Sequence, residues 1–268
     1  MSIRKVIDFK LDEFRYALKT SNVAAFIFSN MLKKQRIKFY EMYHNRGASE
    51  AIALGINIPS GFPIGSLDEV FFEKIYNVEG FIPKTTDSVI DIGAHMGDWT
   101  VYCAKTLGVK VIYSFEPLRD NVFWANKIIE ANGCKNVKFY DIAISNKDDE
   151  VDMYFEGTML TKDQDTNKQA KQRVRFRTLD SFDLECSILK IDVEGFELNV
   201  LEGAIQTIRR NKPKIIIETH SIDLQRKCHN YLLNEGYKLM EKGRKVNARR
   251  KYKSKSFDIV TNLFYSSL

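Results

Sequence analysis

The strongest constraint on the fold is the alternation of short β-branched runs with amphipathic segments between residues 88 and 220. The predicted strands are 88–94, 110–117, 137–145, 187–195 and 214–220, and the predicted helices are 97–108, 120–133, 196–209 and 222–235. Strands that alternate with helices form right-handed βαβ units, and hence a parallel sheet with helices on both faces. We therefore predict a doubly wound, Rossmann-like α/β fold.

Other segments flank or interrupt this pattern. Apolar residues at helical spacing between residues 3 and 45 predict a helical N-terminal extension, so the chain is divided into an extension, 1–60, and a main domain, 61–268. Ser66 is expected to cap a short helix. Apolar and polar residues alternate at 151–155 and 173–177, which predicts two extra strands forming a flap, and the C-terminus is expected to form an antiparallel hairpin.

Composition excludes several classes of protein. With 44% hydrophobic and 28% charged residues, the chain is not expected to be disordered. No run approaches the 18 or so apolar residues of a membrane span, and the charged N-terminus does not resemble a secretory signal, so we predict a cytoplasmic protein. The four cysteines (Cys103, Cys134, Cys186 and Cys228) form no close pair, which predicts reduced thiols and no zinc knuckle.

The net charge of +6 is concentrated in one segment. Residues 238–255 carry nine Lys or Arg and one Glu, so the rest of the chain is nearly neutral. Such a segment could bind a phosphate backbone, an anionic membrane surface or an acidic partner. The alternative is a solvated hairpin without a ligand.

The turn after the first predicted strand, from Asp91 to Gly97, is the first candidate binding site. Strand–turn–helix junctions of α/β sheets bind nucleotides. Counted from Gly93, however, His95 and Asp98 replace the second and third glycines of a dinucleotide motif, and Asp98 at a helix N-terminus would repel phosphate. The turn therefore favours a nucleoside ligand without phosphates.

Acidic residues end the next two predicted strands. Glu116 ends the second, where a carboxylate can accept hydrogen bonds from both hydroxyls of a ribose. The alternative is that Glu116 only interacts with the dipole of the following helix. At the end of the third strand, Asp141 or the backbone near Ile142 is expected beside an adenine.

Charged residues alternate along the fourth predicted strand, at Lys190, Asp192 and Glu194. Burial makes such charges costly, so a functional role explains them better than a structural one. The alternative is a local set of ion pairs that caps the next helix.

Several spaced motifs resemble the FkbM-type methyltransferases, a class I S-adenosylmethionine-dependent family. They are VIDIGAHMGDWT, SFEP, AIS, TLD, LKIDVEGFE, VLEGA and IIIETH, spread over roughly residues 65–263. The resemblance implies a seven-stranded, mostly parallel sheet and O-methylation of a hydroxyl, often on a sugar or polyketide. One departure is His95, where the family more often has Asn. The cofactor-binding residues that the resemblance implies are Asp91, Gly93, Ala94, His95, Gly97, Trp99, Thr100, Glu116, Pro117, Asp141, Ile142 and Asp192.

Methyl transfer to oxygen requires an acceptor oxygen roughly 3 Å from the methyl carbon and removal of its proton. We predict His220 as the general base, because its ordinary pKa is near 6.5 and it ends the strand across the crevice from Asp192. Asp192 or Glu218 could take the proton instead, with Lys190 beside them, and His220 would then be structural. Because oxygen-only sites have no diagnostic spacing here, no catalytic metal is predicted.

The predicted acceptor is a hydroxyl of a saccharide or another small molecule or glycan. One alternative is an RNA ribose methyltransferase that uses the 238–255 segment to bind phosphates. Another is a catalytically inactive nucleoside-binding scaffold. The N-terminal helices are the predicted surface for partners or for homo-oligomerisation.

Overall fold

The computed structural model describes residues 46–156, 159–161, 170–246 and 260–267. The chain divides into two compact units, Met1–Arg46 and Gly47–Leu268. Nearly all of the first unit, with the predicted N-terminal helices and oligomer surface, lies outside the described residues, as do residues 247–259 of the basic segment. Residues 47–60 pack within the second unit, where Ala48, Ala51 and Ile56 join its core. The predicted boundary at residue 60 stays a prediction.

A seven-stranded sheet forms the centre of the second unit. Its strands, in chain order, are β1 (Ser88–Ile92), β2 (Val111–Phe115), β3 (Val137–Tyr140), β8 (Ile188–Ile191), β9 (Lys214–Thr219), β10 (Tyr237–Val246) and β11 (Val260–Ser267). They lie in the order β10-β11-β9-β8-β1-β2-β3. Strands β9, β8, β1, β2 and β3 are parallel, whereas β11 is antiparallel to both β9 and β10. The predicted doubly wound sheet and C-terminal hairpin are confirmed.

Helices precede, connect and follow the parallel strands. They are α1 (Arg46–Ala53), α2 (Asp98–Val101), α3 (Arg119–Ala131), α4 (Glu197–Gly203), α5 (Ile205–Asn211) and α6 (Ile222–Asn234), with π-helical turns at Asp68–Phe72 and Tyr102–Thr106 and 3₁₀ turns at Ile64–Ser66 and Leu179–Phe182. The single helix predicted over 196–209 is interrupted at Ala204, which is not helical (ψ 8°). Among the described helices, none is long and apolar enough to cross a membrane.

A second, four-stranded sheet lies beside the main one. Its strands β4 (Ala143–Ile144), β5 (Asp149–Glu156), β6 (Met159–Thr161) and β7 (Ala170–Arg177) have the order β4-β7-β5-β6. The predicted flap is confirmed by the antiparallel pair β5 and β7. The predicted strand 137–145 is wrong as one element, because its last residues leave the main sheet to pair with β7.

The central strands are buried on both faces, which explains why they read as continuous apolar runs. Every residue of β1 and β8 is buried. Alternate residues of β1 enter two different core clusters, Val89 in one and Ile90 in the other. A parallel sheet covered by helices on both faces has this pattern.

Ser66 does not cap a helix as predicted. Its hydroxyl donates to the carbonyl oxygen of Pro63, and the π-helical turn that follows has no side-chain cap. Val70 and Phe71 of this turn are buried, whereas Ile75, just after it, is half-buried.

The order of the strands reverses between β1 and β8, so the chain leaves these two neighbours in opposite directions. Gly93 follows β1 with a φ of 79°, and a Cβ atom there would overlap the carbonyl oxygen of Asp192, which follows β8. The close approach of these two main chains requires a residue without a side chain. It also brings the sequence motifs around Gly93 and Asp192 together.

We expect Gly93→Ala to destabilise the protein more than Gly133→Ala does. Both glycines have positive φ, but nothing lies within 4 Å of a Cβ at Gly133. Gly133→Ala should therefore cost only the left-handed conformation, about 1–2 kcal/mol, whereas Gly93→Ala must also separate two main chains, about 1–3 kcal/mol more. Urea denaturation of both variants measures the difference. Equal losses in the free energy of unfolding would contradict this expectation, because they would show that the two main chains at Gly93 separate without an energetic penalty.

Candidate active site

A cleft of about 280 Å³ lies at the carboxyl ends of the central strands. A smaller, largely apolar slot of about 60 Å³ adjoins it. Four residues line both spaces, namely Gly93, Glu116, Asp192 and Glu194. These residues follow β1, β2 and β8, so the cleft occupies the position at which open α/β sheets bind ligands.

The slot is lined mainly by apolar groups. They are Ile92, Phe115, Pro117, Leu118, Ile142, Ala143, Ile144, Phe176, Val193 and Phe196. Pro117 and Ile142, two of the residues predicted to bind cofactor, are among them. An apolar slot beside a carboxylate suits a flat aromatic ring attached to a polar group.

Glu116 stands between the slot and the cleft. One carboxylate oxygen accepts from the backbone N–H of Leu118 (2.9 Å) and from the amide of Asn121 (3.2 Å), and the other from the N–H of His95 (3.0 Å). These bonds fix its position and stabilise its charge. Burial nevertheless raises the pKa of Glu116 to about 7.

Two residues of the cleft, His95 and Glu194, have left-handed backbone conformations without being glycine, with φ values of 52° and 54°. Such conformations cost about 1–3 kcal/mol and persist where the surroundings impose them. Each residue belongs to a loop that follows a central strand. These two conformations shape the loops that line the cleft, although Lys74, Asp183 and Lys212 adopt the same conformation away from it.

Asp91 does not line the cleft, although the family resemblance implied that it binds cofactor. It is fully buried beneath the Gly93 turn, where it accepts from Lys190 Nζ (3.1 Å) and from the hydroxyl of Thr100 (2.8 Å). Lys190 reaches the cleft, lying 3.8 Å from Asp192 and over the rings of Tyr76 and Trp99. The neighbouring carboxylates outweigh burial and raise its pKa, so Lys190 is a permanent cation.

The other predicted cofactor residues divide into two groups. Trp99 and His95 line the cleft, whereas Ala94, Gly97 and Thr100 are absent from the linings of both spaces. Asp141 is exposed and accepts from Arg175 (2.8 Å) outside the cleft. Of the two alternatives at the end of β3, the structure therefore places Ile142 at the slot and Asp141 away from it.

His220 lies among four carboxylates. Its Nδ1 donates to the buried Glu197 (2.6 Å), while its Nε2 lies 3.2 Å from Glu194, 3.7 Å from Asp192 and 4.0 Å from Glu218. Burial alone would lower the pKa of His220, but these carboxylates, Glu194 first, raise it well above its usual value. An imidazole that already carries a proton is a poor base, so the predicted role of His220 requires that the charge around it change when ligands bind.

The carboxylates of this cluster also have altered pKa values. Burial raises the pKa of Glu194 to about 7 and that of Glu218 well above its usual value, with the charge of Asp192 adding to both. Asp192 accepts from the hydroxyl of Tyr76 (3.1 Å). The cluster therefore holds more negative charge than its surroundings compensate.

Sequence reasoning missed several residues of the site. Glu69, Tyr76 and Asn121 line the cleft, and Glu197 orients His220 from beneath it. Of these residues, only Glu197 could have been found from the sequence, because it is the last residue of the LKIDVEGFE motif. Glu69 and Tyr76 precede the first strand of the sheet, where no periodicity pointed to the cleft.

The fold and the position of this cleft define a Rossmann-like α/β enzyme class. The family described as the methyltransferase FkbM domain matches residues 91–239, which is more than half of the chain. The chain therefore belongs to the FkbM methyltransferase family. This confirms the family identified from the motifs, a family of S-adenosylmethionine-dependent methyltransferases.

Solved structures share the fold at low identity. The chain is similar to methyltransferase FkbM from Methylobacillus flagellatus KT, with 18% identity and a TM-score of 0.51 over 81% of this chain and 59% of that one. M. jannaschii TYW2 in complex with AdoMet shows 16% identity and a TM-score of 0.43 over 70% and 72% of the two chains. Precorrin-6y C5,15-methyltransferase from Geobacter metallireducens GS-15 shows 12% identity and a TM-score of 0.45 over 80% of this chain and 94% of that one. None of the curated proteins compared with this chain matches it.

We expect Lys190→Met to lower the free energy of unfolding by about 3–5 kcal/mol, because it leaves Asp91 buried and without its cation. The double variant Asp91→Asn/Lys190→Met should recover part of that loss, since it also removes the unpaired charge. Arg175→Met, which breaks the exposed pair with Asp141, should change stability little. Chemical denaturation of the three variants measures these differences. A Lys190→Met loss as small as that of Arg175→Met would contradict the expectation.

Proposed function

We propose that this chain transfers a methyl group from S-adenosylmethionine to a hydroxyl of a saccharide or another small-molecule or glycan acceptor. The observation that carries the proposal is the pair of adjoining spaces that share Gly93, Glu116, Asp192 and Glu194. One is an apolar slot of a kind that suits adenine, and the other is an acidic cleft for the reacting groups. Glu116, between them, would accept from the ribose hydroxyls.

The residues present fit this cofactor by their chemistry. When bound, S-adenosylmethionine supplies a methyl group that its positively charged sulfur already activates. Carboxylates of the cleft favour such a cation through charge attraction, which is strong where water is excluded. The chain's own residues would then orient the acceptor oxygen and remove its proton.

The acidic lining also supports the class of acceptor. Six carboxylates line the cleft, those of Glu69, Asp98, Glu116, Asp192, Glu194 and Glu218, and Lys190 is the permanent cation among them. Such a lining repels phosphodiesters and offers acceptors to the hydroxyl groups of a polyol. The proposal therefore favours saccharides over RNA.

His220 and the carboxylates around it are the groups proposed to remove the acceptor proton. During transfer the acceptor oxygen forms a bond to the methyl carbon, the carbon–sulfur bond breaks with its electron pair on sulfur, and the proton passes to this cluster. Glu197 holds the imidazole ring with its Nε2 toward Asp192 and Glu218.

The cytoplasmic location inferred from the sequence remains a prediction.

Binding of S-adenosylhomocysteine should weaken as the pH falls below about 7, because Glu116 then gains a proton and loses acceptor capacity. Glu116→Gln should bind about tenfold to a hundredfold more weakly at pH 8, and its affinity should depend much less on pH. Calorimetry at pH 6 and pH 8 tests both statements. Glu130→Gln, an exposed residue on α3, is the control. Equal affinity of Glu116→Gln and wild type at pH 8 would remove Glu116 from the site.

Transfer of a labelled methyl group should occur to members of a panel of saccharides and glycans, and not to RNA. His220→Ala should lower turnover by about 10² to 10⁴ while S-adenosylhomocysteine affinity stays close to wild type, because proton removal acts on the transition state. Label in RNA that is lost at high salt would instead support the RNA alternative. S-adenosylhomocysteine binding without transfer to any acceptor would support the inactive scaffold.

A further inference from the structure

The cluster at the carboxyl ends of β8 and β9 combines features of a metal centre. Asp192, Glu218 and His220 each offer one ligand atom, and the three atoms all lie within 4.8 Å of one another. Bonds of about 2.1 Å place neighbouring ligand atoms roughly 3.0–3.4 Å apart. The observed distances from His220 Nε2 to Asp192 and Glu218, 3.7 and 4.0 Å, lie a few tenths of an ångström beyond that range. A small inward movement would complete the shell.

The surroundings of His220 match those of a metal-bound histidine. Its Nδ1 donates to the fully buried Glu197, which fixes the ring and directs Nε2 toward the carboxylates. Histidines that bind metal generally donate their other ring N–H to a carboxylate or carbonyl in this way. This contact is independent of the acidic residues that face the cleft.

Three buried carboxylate oxygens around His220 lack a hydrogen bond within the described part of the chain, including Glu197 Oε2, and two of the three belong to residues that line the cleft. Within the described residues, the Oε2 atoms of Glu194 and Glu218 have no hydrogen-bond partner. The former lies 3.2 Å from His220 Nε2 without hydrogen-bond alignment. Buried charged oxygens without partners are costly, and a cation satisfies them.

Asp192 has its two oxygens turned to different partners. Its Oδ2 accepts from Tyr76 and lies 3.8 Å from Lys190, whereas its Oδ1 faces His220. The fixed cation of the cleft therefore interacts with one oxygen only. The other lies 3.7 Å from His220 Nε2.

We propose that Asp192, Glu218 and His220 bind a divalent cation, with Glu194 as a fourth ligand. Two or three carboxylates and one imidazole suit Mn²⁺ or Zn²⁺ better than Ca²⁺, which prefers oxygen alone. This differs from the absence of a metal predicted from the sequence. With His220 Nε2 on the cation, the cation would lower the pKa of the acceptor hydroxyl in place of the base role of His220, and a neighbouring carboxylate would take the proton. That part rests on the proposed function, whereas cation binding does not.

Manganese titration of metal-stripped protein, followed by electron paramagnetic resonance and calorimetry, tests the proposal. Wild type should bind one Mn²⁺ per chain. Asp192→Asn and Glu218→Gln should weaken binding at least about tenfold. Glu197→Gln, which alters the support of the ring and of the Gly195 N–H but removes no proposed ligand, should weaken it about tenfold to a hundredfold. Asp223→Asn removes an exposed carboxylate of α6 and should bind as wild type does.

Two results would overturn the proposal. One is the absence of saturable Mn²⁺ binding up to about 1 mM, the weak end of the range for protein metal sites. The other is equal Mn²⁺ affinity in Asp192→Asn and Asp223→Asn. S-adenosylhomocysteine affinity, measured on the same samples in EDTA, separates this failure from that of the proposed function. Retained cofactor binding without Mn²⁺ binding would reject the metal site alone. Thermal melts test whether each variant is folded. If Asp192→Asn does not fold, the Mn²⁺ affinity of Glu197→Gln tests the proposal instead.

Discussion

The buried ion pair between Asp91 and Lys190 joins the two strands on which the site depends. The residues are partners in the parallel register of β1 and β8, and the pair lies at the point where the strand order reverses. A buried pair is weak evidence for stability, since desolvation offsets much of the attraction. The main effect of this ion pair is to fix the position of Lys190. It sets Lys190 beneath the cleft and keeps one cation among many carboxylates.

The electrostatics of the cleft follow from that arrangement. Lys190 neutralises Asp91 and approaches one oxygen of Asp192, so it leaves the charge around His220 uncompensated. Burial and the neighbouring carboxylates raise the pKa of Glu194, and the carboxylates outweigh burial in raising the pKa of His220, so this cluster favours bound protons. A cationic ligand would replace those protons. A sulfonium and a divalent metal ion both meet this requirement, and they would occupy different parts of the cleft.

Sequence reasoning predicted the sheet, the flap and the acidic end of β2, because these depend on local periodicity and on spacing along the chain. It could not predict contacts made by distant segments. Tyr76 reaches Asp192 across 116 residues, and the fit of a metal depends on ångström-scale distances among side chains of two strands. The role of His220 shows the same limit. Its position was correctly placed at a strand end, but its charge state depends on neighbours that only the fold assembles.

The break between β3 and β4 shows how a local change of direction builds the slot. A continuous strand would have kept Asp141 and Ile142 in the main sheet. Instead the chain turns between Tyr140 and Ala143, so Asp141 faces solvent and Arg175 while Ile142 enters the apolar slot. Strand β4 then pairs with β7 of the second sheet, which supplies Phe176 to the same lining. The second sheet is thus a wall of the proposed adenine site, which the seven-stranded sheet alone would leave open on one side.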